Sequence, residues 1–286
     1  MNHRIPTLLL AGALAFTAAP AWAGDLAQVV SADESVAPSG EAAVIDHGHV
    51  DMGALIVDGQ AQFKARDDSQ PTPVWRDPKD VVFAVDDKAL QTLPETNDFA
   101  FTGAQPGSQV WVIPQTEVAG VPWLGWNTQA PSLTEVADRG VNIEFLGHSG
   151  PGDFSLFLQN GGFEAPQLLF STAEHGEDSL WVDLHTHTHA NWTFTEPGAH
   201  KVGLRLTTTT TSGEELATDA VLNFAVGPDA ATPQAADAAR SLPFEPTTAS
   251  AGFAGLPMWA WWTVGIVLAL VVLGALGAAL RGVRRG

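Results

Sequence analysis

The residues of this sequence that could do chemistry are histidines spaced two positions apart. His185, His187 and His189 alternate with threonines, and His47 and His49 form a second H-x-H pair. In a β-strand, residues two apart share one face and lie about 6–7 Å apart along the backbone. Imidazole nitrogens from such neighbours can converge on one metal ion at about 2.0–2.1 Å each. The pattern therefore predicts a metal site built on strands.

Other ligands of such a site must come from separate segments of the chain. A Gly-rich turn contributes a further histidine, and the full predicted ligand pool, of which three or four would act together, is His47, His49, His148, His185, His187 and His189. Nearby carboxylates are predicted to orient the imidazole rings by hydrogen bonding; they are Asp51, Asp153 and Asp183. His175, in an acidic loop, and His200, in a Pro-Gly turn, are given no role.

The ligand types narrow the choice of ion. The chain has no cysteine, so thiolate ligands are excluded. Neutral imidazoles favour zinc, copper, iron or nickel over calcium and magnesium, and manganese is possible when carboxylates join. We expect a transition metal, zinc or manganese. Solvated histidines without a metal, and a switch driven by histidine protonation at mildly acid pH, remain alternatives.

An aromatic segment offers a different function. Trp123 and Trp126 flank Gly125 and could form a flat platform for a sugar or another planar ligand, although such aromatics more often pack in a core. The second hypothesis is therefore a structural or adhesive surface module that binds a glycan or protein and has no metal role.

Enzymatic activity has little support in the sequence. There is no nucleophile elbow, Walker A motif, dinucleotide-binding fingerprint or H-E-x-x-H motif. A metalloenzyme would need an open coordination position beside a perturbed acid, and the carboxylates near the histidines keep that third hypothesis open. We expect a protein that is not an enzyme.

Short runs of apolar and β-branched residues, separated by Gly, Pro and Asp, fill the middle of the chain. Strands are predicted at 81–85, 109–113, 141–145, 154–158, 180–184, 200–206 and 220–226, with a hairpin turn at Ser212-Gly213 and a short helix at 88–93. Many short strands at this spacing predict an all-β fold, an antiparallel immunoglobulin-like β-sandwich.

The two ends of the chain predict export and anchoring. A basic start, a short apolar core and Ala21-Trp22-Ala23 are typical of a signal peptide over 1–23. No charge occurs from Trp259 to Leu280, and arginines follow. This is typical of a transmembrane helix, predicted at 257–281, with a cytoplasmic tail at 282–286. A flexible lead-in at 24–43, a body at 44–228 and a linker at 229–256 complete a single-pass type I protein with an extracellular body.

Composition restricts the partners. The net charge of −19 is spread over the chain, and the body has no cluster of Lys and Arg. Phosphate binding needs such a cluster, so nucleic acid is excluded as a partner.

The body also resembles a known family, the actinobacterial surface-anchored or choice-of-anchor M domain. The resemblance covers 44–226 and is carried by the segments 47–51, 123–127, 147–152, 181–192 and 194–198. Members differ in how they attach to the cell, and this chain would be the transmembrane version. The family tends to be encoded beside metal-type ABC transporters, which implies a role in metal acquisition.

Overall fold

The computed structural model describes residues 28–161, 164–177 and 179–246. The predicted signal peptide, most of the predicted linker's second half, the transmembrane helix and the tail lie outside these residues. Within the described ranges no helix is long and apolar enough to cross a bilayer.

The described chain is mostly β-strand. The strands of its first half are β1 (Ser35–Val36), β2 (Ala43–Ile45), β3 (Gly48–Val57), β4 (Gln60–Asp67), β5 (Val74–Arg76), β6 (Val81–Val85), β7 (Leu90–Thr92), β8 (Gln109–Ile113) and β9 (Pro122–Asn127). Those of its second half are β10 (Gly140–Ser149), β11 (Phe154–Leu158), β12 (Gln167–Ser171), β13 (Ser179–Asp183), β14 (His187–His189), β15 (Asn191–Phe194), β16 (Gly198–Thr209) and β17 (Glu215–Val226). The helices are α1 (Pro131–Thr134), α2 (Pro233–Ser241) and three 3₁₀ turns at Pro78–Asp80, Asp87–Ala89 and Asn97–Thr102.

These strands form three sheets in the described part of the chain. The first has the order β1-β5-β4-β3-β9-β14, the second β13-β10-β16-β17-β6-β2, and the third β12-β11-β15-β8-β7. All three contribute to one buried core, for example through Leu124, Phe224 and Trp192. The all-β fold predicted from the sequence is confirmed, with sheets packed around a shared core as in a β-sandwich.

Several strand predictions agree with the structure. The bounds of β6, β8 and β11 coincide with the predicted runs, and β16 and β17 form the predicted hairpin. The helix predicted at 88–93 is wrong, because that segment is a 3₁₀ turn followed by β7.

The predicted antiparallel pairing holds for most strand pairs of the described residues, but not for all of them. The pairs β1–β5, β3–β9, β6–β17 and β2–β6 are parallel. Parallel neighbours need a long connection, and the chain between β3 and β9 makes one by forming five further strands on the way. This parallel pair forms the centre of the candidate site.

The folded body extends beyond the predicted limits of 44–228. At its start, Val30 is buried and β1 pairs with β5. At its end, α2 lies within the predicted linker and buries Ala236 and Ala239 against the second sheet. Ala236 and Ala239 are three residues apart and lie on one face of α2, so the helix has an apolar face although its sequence shows little contrast in hydropathy.

Candidate metal centre

Three adjacent strands of the first sheet bring the candidate ligands together. Strand β9 lies in the middle, with β3 parallel on one side and β14 antiparallel on the other. Gly125 of β9 is paired with Asp51 on β3 and with His189 on β14. Residues two apart share a face, so His49 and His187 lie on the same side of the sheet.

The opposite face of the same strands explains this orientation. Val50, Met52, Leu124 and Trp126 alternate with the site residues and are buried in the core. A shift of pairing by one residue would turn these apolar side chains outward, so their burial maintains the register. The hydrophobic pattern thereby directs the histidines to the other face.

Three imidazole nitrogens form a nearly equilateral triangle. The Nε2 atoms of His49, His187 and His189 lie 3.0–3.1 Å from one another. Tetrahedral zinc with bonds of about 2.05 Å places its ligand nitrogens about 3.3 Å apart. The observed triangle is therefore within a few tenths of an ångström of what a bound ion requires.

Asp51 completes the set of four ligands. Its Oδ1 lies 3.4 Å from His49 Nε2, and its Oδ2 lies 3.2 Å from His187 Nε2. The carboxylate is fully buried, and Oδ1 has no hydrogen-bond partner of good geometry. A buried carboxylate oxygen without a partner is costly, and a cation bound between the rings would satisfy it. Together, His49, Asp51, His187 and His189 could hold a metal ion.

The pKa values of the site residues show that Asp51 is ionised and so can bind a cation. Burial would lower the pKa of His49, but hydrogen bonds and charge from Asp51 and Asp68 raise it to about 9. Burial opposes ionisation of Asp51, yet the close imidazole rings of His187 and His49, at 3.2 and 3.4 Å, hold its pKa well below the usual range. Burial lowers the pKa of His189 to about 4. The metal-free site therefore carries an ionised Asp51 beside a protonated His49 at neutral pH.

Gly125 leaves the space that this cluster needs. A Cβ at this position would lie 2.7 Å from Asp51 Oδ1, 2.9 Å from His189 Cε1 and 2.6 Å from the Thr188 carbonyl oxygen. Real Cβ atoms do not approach other atoms so closely, so any side chain here would displace a ligand. The glycine in the middle strand is thus part of the site.

A second layer of polar groups holds His49 from behind. Its Nδ1 is 2.5 Å from Asp68 Oδ1, which leaves Nε2 for the metal. Asp68 also accepts from Arg66, and Arg66 forms two hydrogen bonds to Glu34, at 2.6 and 2.8 Å. With neutral imidazoles, the carboxylates of Asp51, Asp68 and Glu34 outnumber the single guanidinium of Arg66 by two negative charges. A divalent cation would balance them.

Amide side chains link the ligands across the sheet. Asn127 Nδ2 donates to Asp51 Oδ2 at 3.3 Å and to Gln28 Oε1 at 2.6 Å. Gln28 Nε2 in turn donates to Asp68 Oδ2 at 2.8 Å. The support on the Asp51 side of the site is therefore joined to the support on the His49 side.

The two tryptophans pack against other residues and do not form the exposed platform that the second hypothesis requires. Trp126 points into the core and is 5 % exposed. Trp123 stacks on the His189 ring, with centroids 3.8 Å apart and an interplanar angle of 10°. The indole N–H of Trp123 donates to the Gln115 carbonyl oxygen, which fixes the ring against this ligand.

The continuous strand predicted over His185–His189 is interrupted. His185 has a left-handed backbone with φ of 61° and lies between β13 and β14. The Thr128 hydroxyl donates to the Asp183 carbonyl oxygen and accepts from the Thr186 amide, which stabilises the turn. His185 and Asp183 are exposed and lie outside the ligand group, because the turn removes them from the face of His187.

His47 and His148 also lie outside the group. Gly48 between the first H-x-H histidines has φ of 85°, so His47 precedes β3 and is exposed beside Asp46. His148 lies on β10 in the second sheet, where its Nε2 is 3.0 Å from His200 Nδ1. Burial lowers the pKa of both histidines of this pair to about 4. Asp153 accepts from the Thr172 hydroxyl and is not among the four ligands.

Sequence reasoning missed the supporting residues Gln28, Arg66, Asp68 and Asn127. Asp68 follows the end of β4, and its amide pairs with the His49 carbonyl oxygen. Nothing in its local sequence marks it as a partner of a histidine 19 residues earlier. The in-phase spacing of Asn127 with Trp123 and Gly125 was the one available signal.

Comparisons of the chain with protein-family models, with curated proteins and with solved structures find no match. The resemblance to the choice-of-anchor M domain therefore stays a prediction.

Proposed function

We propose that this protein is a membrane-anchored, extracellular metal-binding protein that captures zinc and assists an ABC-type metal uptake system. The observation that supports metal binding best is the triangle of Nε2 atoms from His49, His187 and His189 beside the buried Asp51 carboxylate. Three imidazoles and one carboxylate form a ligand set that tetrahedral zinc accepts. Manganese prefers more oxygen ligands, so zinc is the better fit of the two expected ions.

The coordination favours holding a metal over reacting with a substrate. Catalytic zinc sites use three protein ligands and keep a fourth position for water or substrate. Here four protein groups offer ligand atoms within 4.8 Å of one another, and the side chains of Asp51, His187 and His189 are at most 4 % exposed. A metal held in this way is shielded from substrates, which supports a binding role.

The part of the proposal that concerns location and delivery has a different basis. It depends on the uncharged segment from Trp259 to Leu280 and on the family resemblance. A tethered domain would release its metal close to a membrane transporter, at an effective concentration determined by the length of the linker.

Metal binding can be tested on the full chain solubilised in detergent. We expect one zinc ion per chain by isothermal titration calorimetry and by metal analysis. The double variant His187→Gln and His189→Gln should lose tight binding and keep its circular dichroism spectrum. Matched controls are His47→Gln and His185→Gln, which change exposed histidines outside the group and should bind as wild type does. Unchanged zinc affinity in the double variant would contradict the proposed site.

Delivery needs a cellular test. Deleting the gene should lower zinc uptake and growth in chelator-treated medium. Wild type should restore both, whereas the double variant and a version ending before 257 should not. Uptake that does not depend on the gene would contradict the role in delivery and leave metal binding standing.

A further inference from the structure

We propose that residues 28–34 form a strap over the metal centre, with Gln28 as a positioning residue that controls how fast the metal leaves. The inference rests on the proposed metal binding and adds a route and a gate to it. The name strap refers below to residues 28–34 only.

Exposure identifies one open side of the site. The Asp51 side chain is fully buried, and those of His187 and His189 are 4 % and 3 % exposed. The His49 side chain is 15 % exposed, and that of Asp68 behind it is 18 % exposed. An ion that enters or leaves would pass the ligand that solvent reaches, so His49 is the ligand that must yield.

The strap lies on this open side. Gln28 uses both ends of its amide, accepting from Asn127 at 2.6 Å and donating to Asp68 at 2.8 Å. The same nitrogen lies 3.4 Å from His49 Nδ1. One side chain thus spans from the partner of Asp51 to the partner of His49. Removing it would leave Asp68 freer to move and His49 less constrained.

A second contact holds the other end of the strap. Glu34 forms a two-point ion pair with Arg66, and their side chains are 8 % and 3 % exposed. Paired geometry of this kind is directional and persists when it is shielded from water. Arg66 also binds Asp68 at 2.6 Å, so both ends of the strap meet at the carboxylate that orients His49. Val30 between the two contacts is buried and fixes the strap against the body.

The strap therefore acts on metal exchange through His49. While Gln28 and Glu34 are in place, Asp68 holds the His49 ring with Nε2 toward the ion. When the strap lifts, Asp68 loses its hydrogen bond from Gln28, and Arg66, which also binds Asp68, loses its ion pair with Glu34. Asp68 is then less constrained, and the His49 ring can turn away. Groups that support metal ligands in this way typically change metal affinity by about 10–100-fold when removed.

The test measures zinc release from the full chain in detergent. Zinc-loaded protein is mixed with excess EDTA, and release is followed by the change in Trp fluorescence, since Trp123 stacks on a ligand. We expect release about 10-fold faster in Gln28→Ala and in Glu34→Ala. Val29→Ala is the matched control, because Val29 is in the strap and 83 % exposed; it should release zinc at the wild-type rate.

A second measurement separates gating from damage to the site. The cobalt(II) forms of wild type and Gln28→Ala should have the same visible absorption spectrum, which reports an unchanged tetrahedral ligand set. Release from Gln28→Ala within twofold of wild type would overturn the strap, as would an equal acceleration in Val29→Ala or an altered cobalt spectrum. Failure of wild type to bind zinc at all would instead overturn the proposed function.

Discussion

Replacing Gly125 by alanine should damage the metal centre directly, because the added methyl group would meet two of its ligands. The added Cβ would meet Asp51 Oδ1 at 2.7 Å and His189 Cε1 at 2.9 Å. Ordinary carbon contacts are about 3.5–4.0 Å, so each ligand must shift by about half an ångström or more. The Thr188 carbonyl oxygen, at 2.6 Å, is part of the β9–β14 ladder and leaves the methyl no room on that side.

The size of the effect follows from the tolerance of metal coordination. Ligand distances in metal sites hold to within about 0.2 Å, which is less than the expected displacement. We expect zinc affinity to fall about 10–100-fold, equivalent to about 1.4–2.8 kcal/mol of binding free energy. Overpacking should also lower the free energy of unfolding by about 1–3 kcal/mol.

The assay is a competition titration with a chromophoric zinc chelator, paired with denaturant unfolding of the metal-free protein. Gly176→Ala is the matched control, because its Cβ would meet the Leu169 carbonyl oxygen at 2.8 Å beside β12 in the third sheet, away from the ligands. That variant should lose stability and keep zinc affinity. A Kd for Gly125→Ala within threefold of wild type would refute the reasoning, and so would an equal loss of affinity in Gly176→Ala.

Three further predictions concern protons and heat. Zinc at 100 times its Kd should raise the free energy of unfolding by about 2.7 kcal/mol and Tm by about 5–11 °C, reversibly with chelator; a Tm that zinc does not change in calorimetry would count against the site. Because Asp51 and Asp68 raise the pKa of His49 to about 9, the metal-free ring is protonated at pH 7.5, and zinc should displace about one proton as it binds. Zinc affinity should then fall about tenfold per pH unit as pH drops below 9. Calorimetry in buffers of different ionisation enthalpy measures the number of protons released per zinc ion, and a value of zero would contradict the prediction. Burial lowers the pKa of His148 and His200 to about 4, so the unfolded chain binds more protons between pH 6.5 and 4, and stability should decrease by about 2–4 kcal/mol as pH falls through that window. Denaturant titrations at pH 7 and pH 4.5 should show this decrease in the free energy of unfolding for wild type and a smaller decrease for His148→Gln. An equal decrease in the two proteins would contradict the prediction.

The fold was predictable where single segments carry their own signal. The runs at β6 and β8 are largely apolar and are followed by Asp86 and Pro114, and the run at β11 follows Asp153, so their bounds agree with the structure. The parallel pairs were not predictable, because strand direction depends on which distant segments become neighbours. The helix α2 was missed since its apolar face consists of alanines, which give little contrast in hydropathy.

The metal centre, like the fold, was predictable only where a single short segment carries the signal. Histidine as the ligand type, the absence of thiolates and the two-residue spacing of His187 and His189 are properties of the sequence alone. The spacing of His49 and Asp51 likewise predicts one shared face wherever they form a strand. Each of these pairs lies within one short segment, so strand geometry is sufficient to place both members together.

Tertiary structure decided which pairs meet. His49 and His187 are 138 residues apart, and they converge because β9 accepts β3 on one edge and β14 on the other. The same pairing leaves out His47 and His185, whose backbones turn away before the strands begin, and it places His148 beside His200 in another sheet. Strand register depends on the summed burial of Val50, Met52, Leu124 and Trp126, a non-local quantity. Local spacing therefore determines that two ligands share one face of a strand. Only the packing of the core determines which other strands, and so which other ligands, lie beside them.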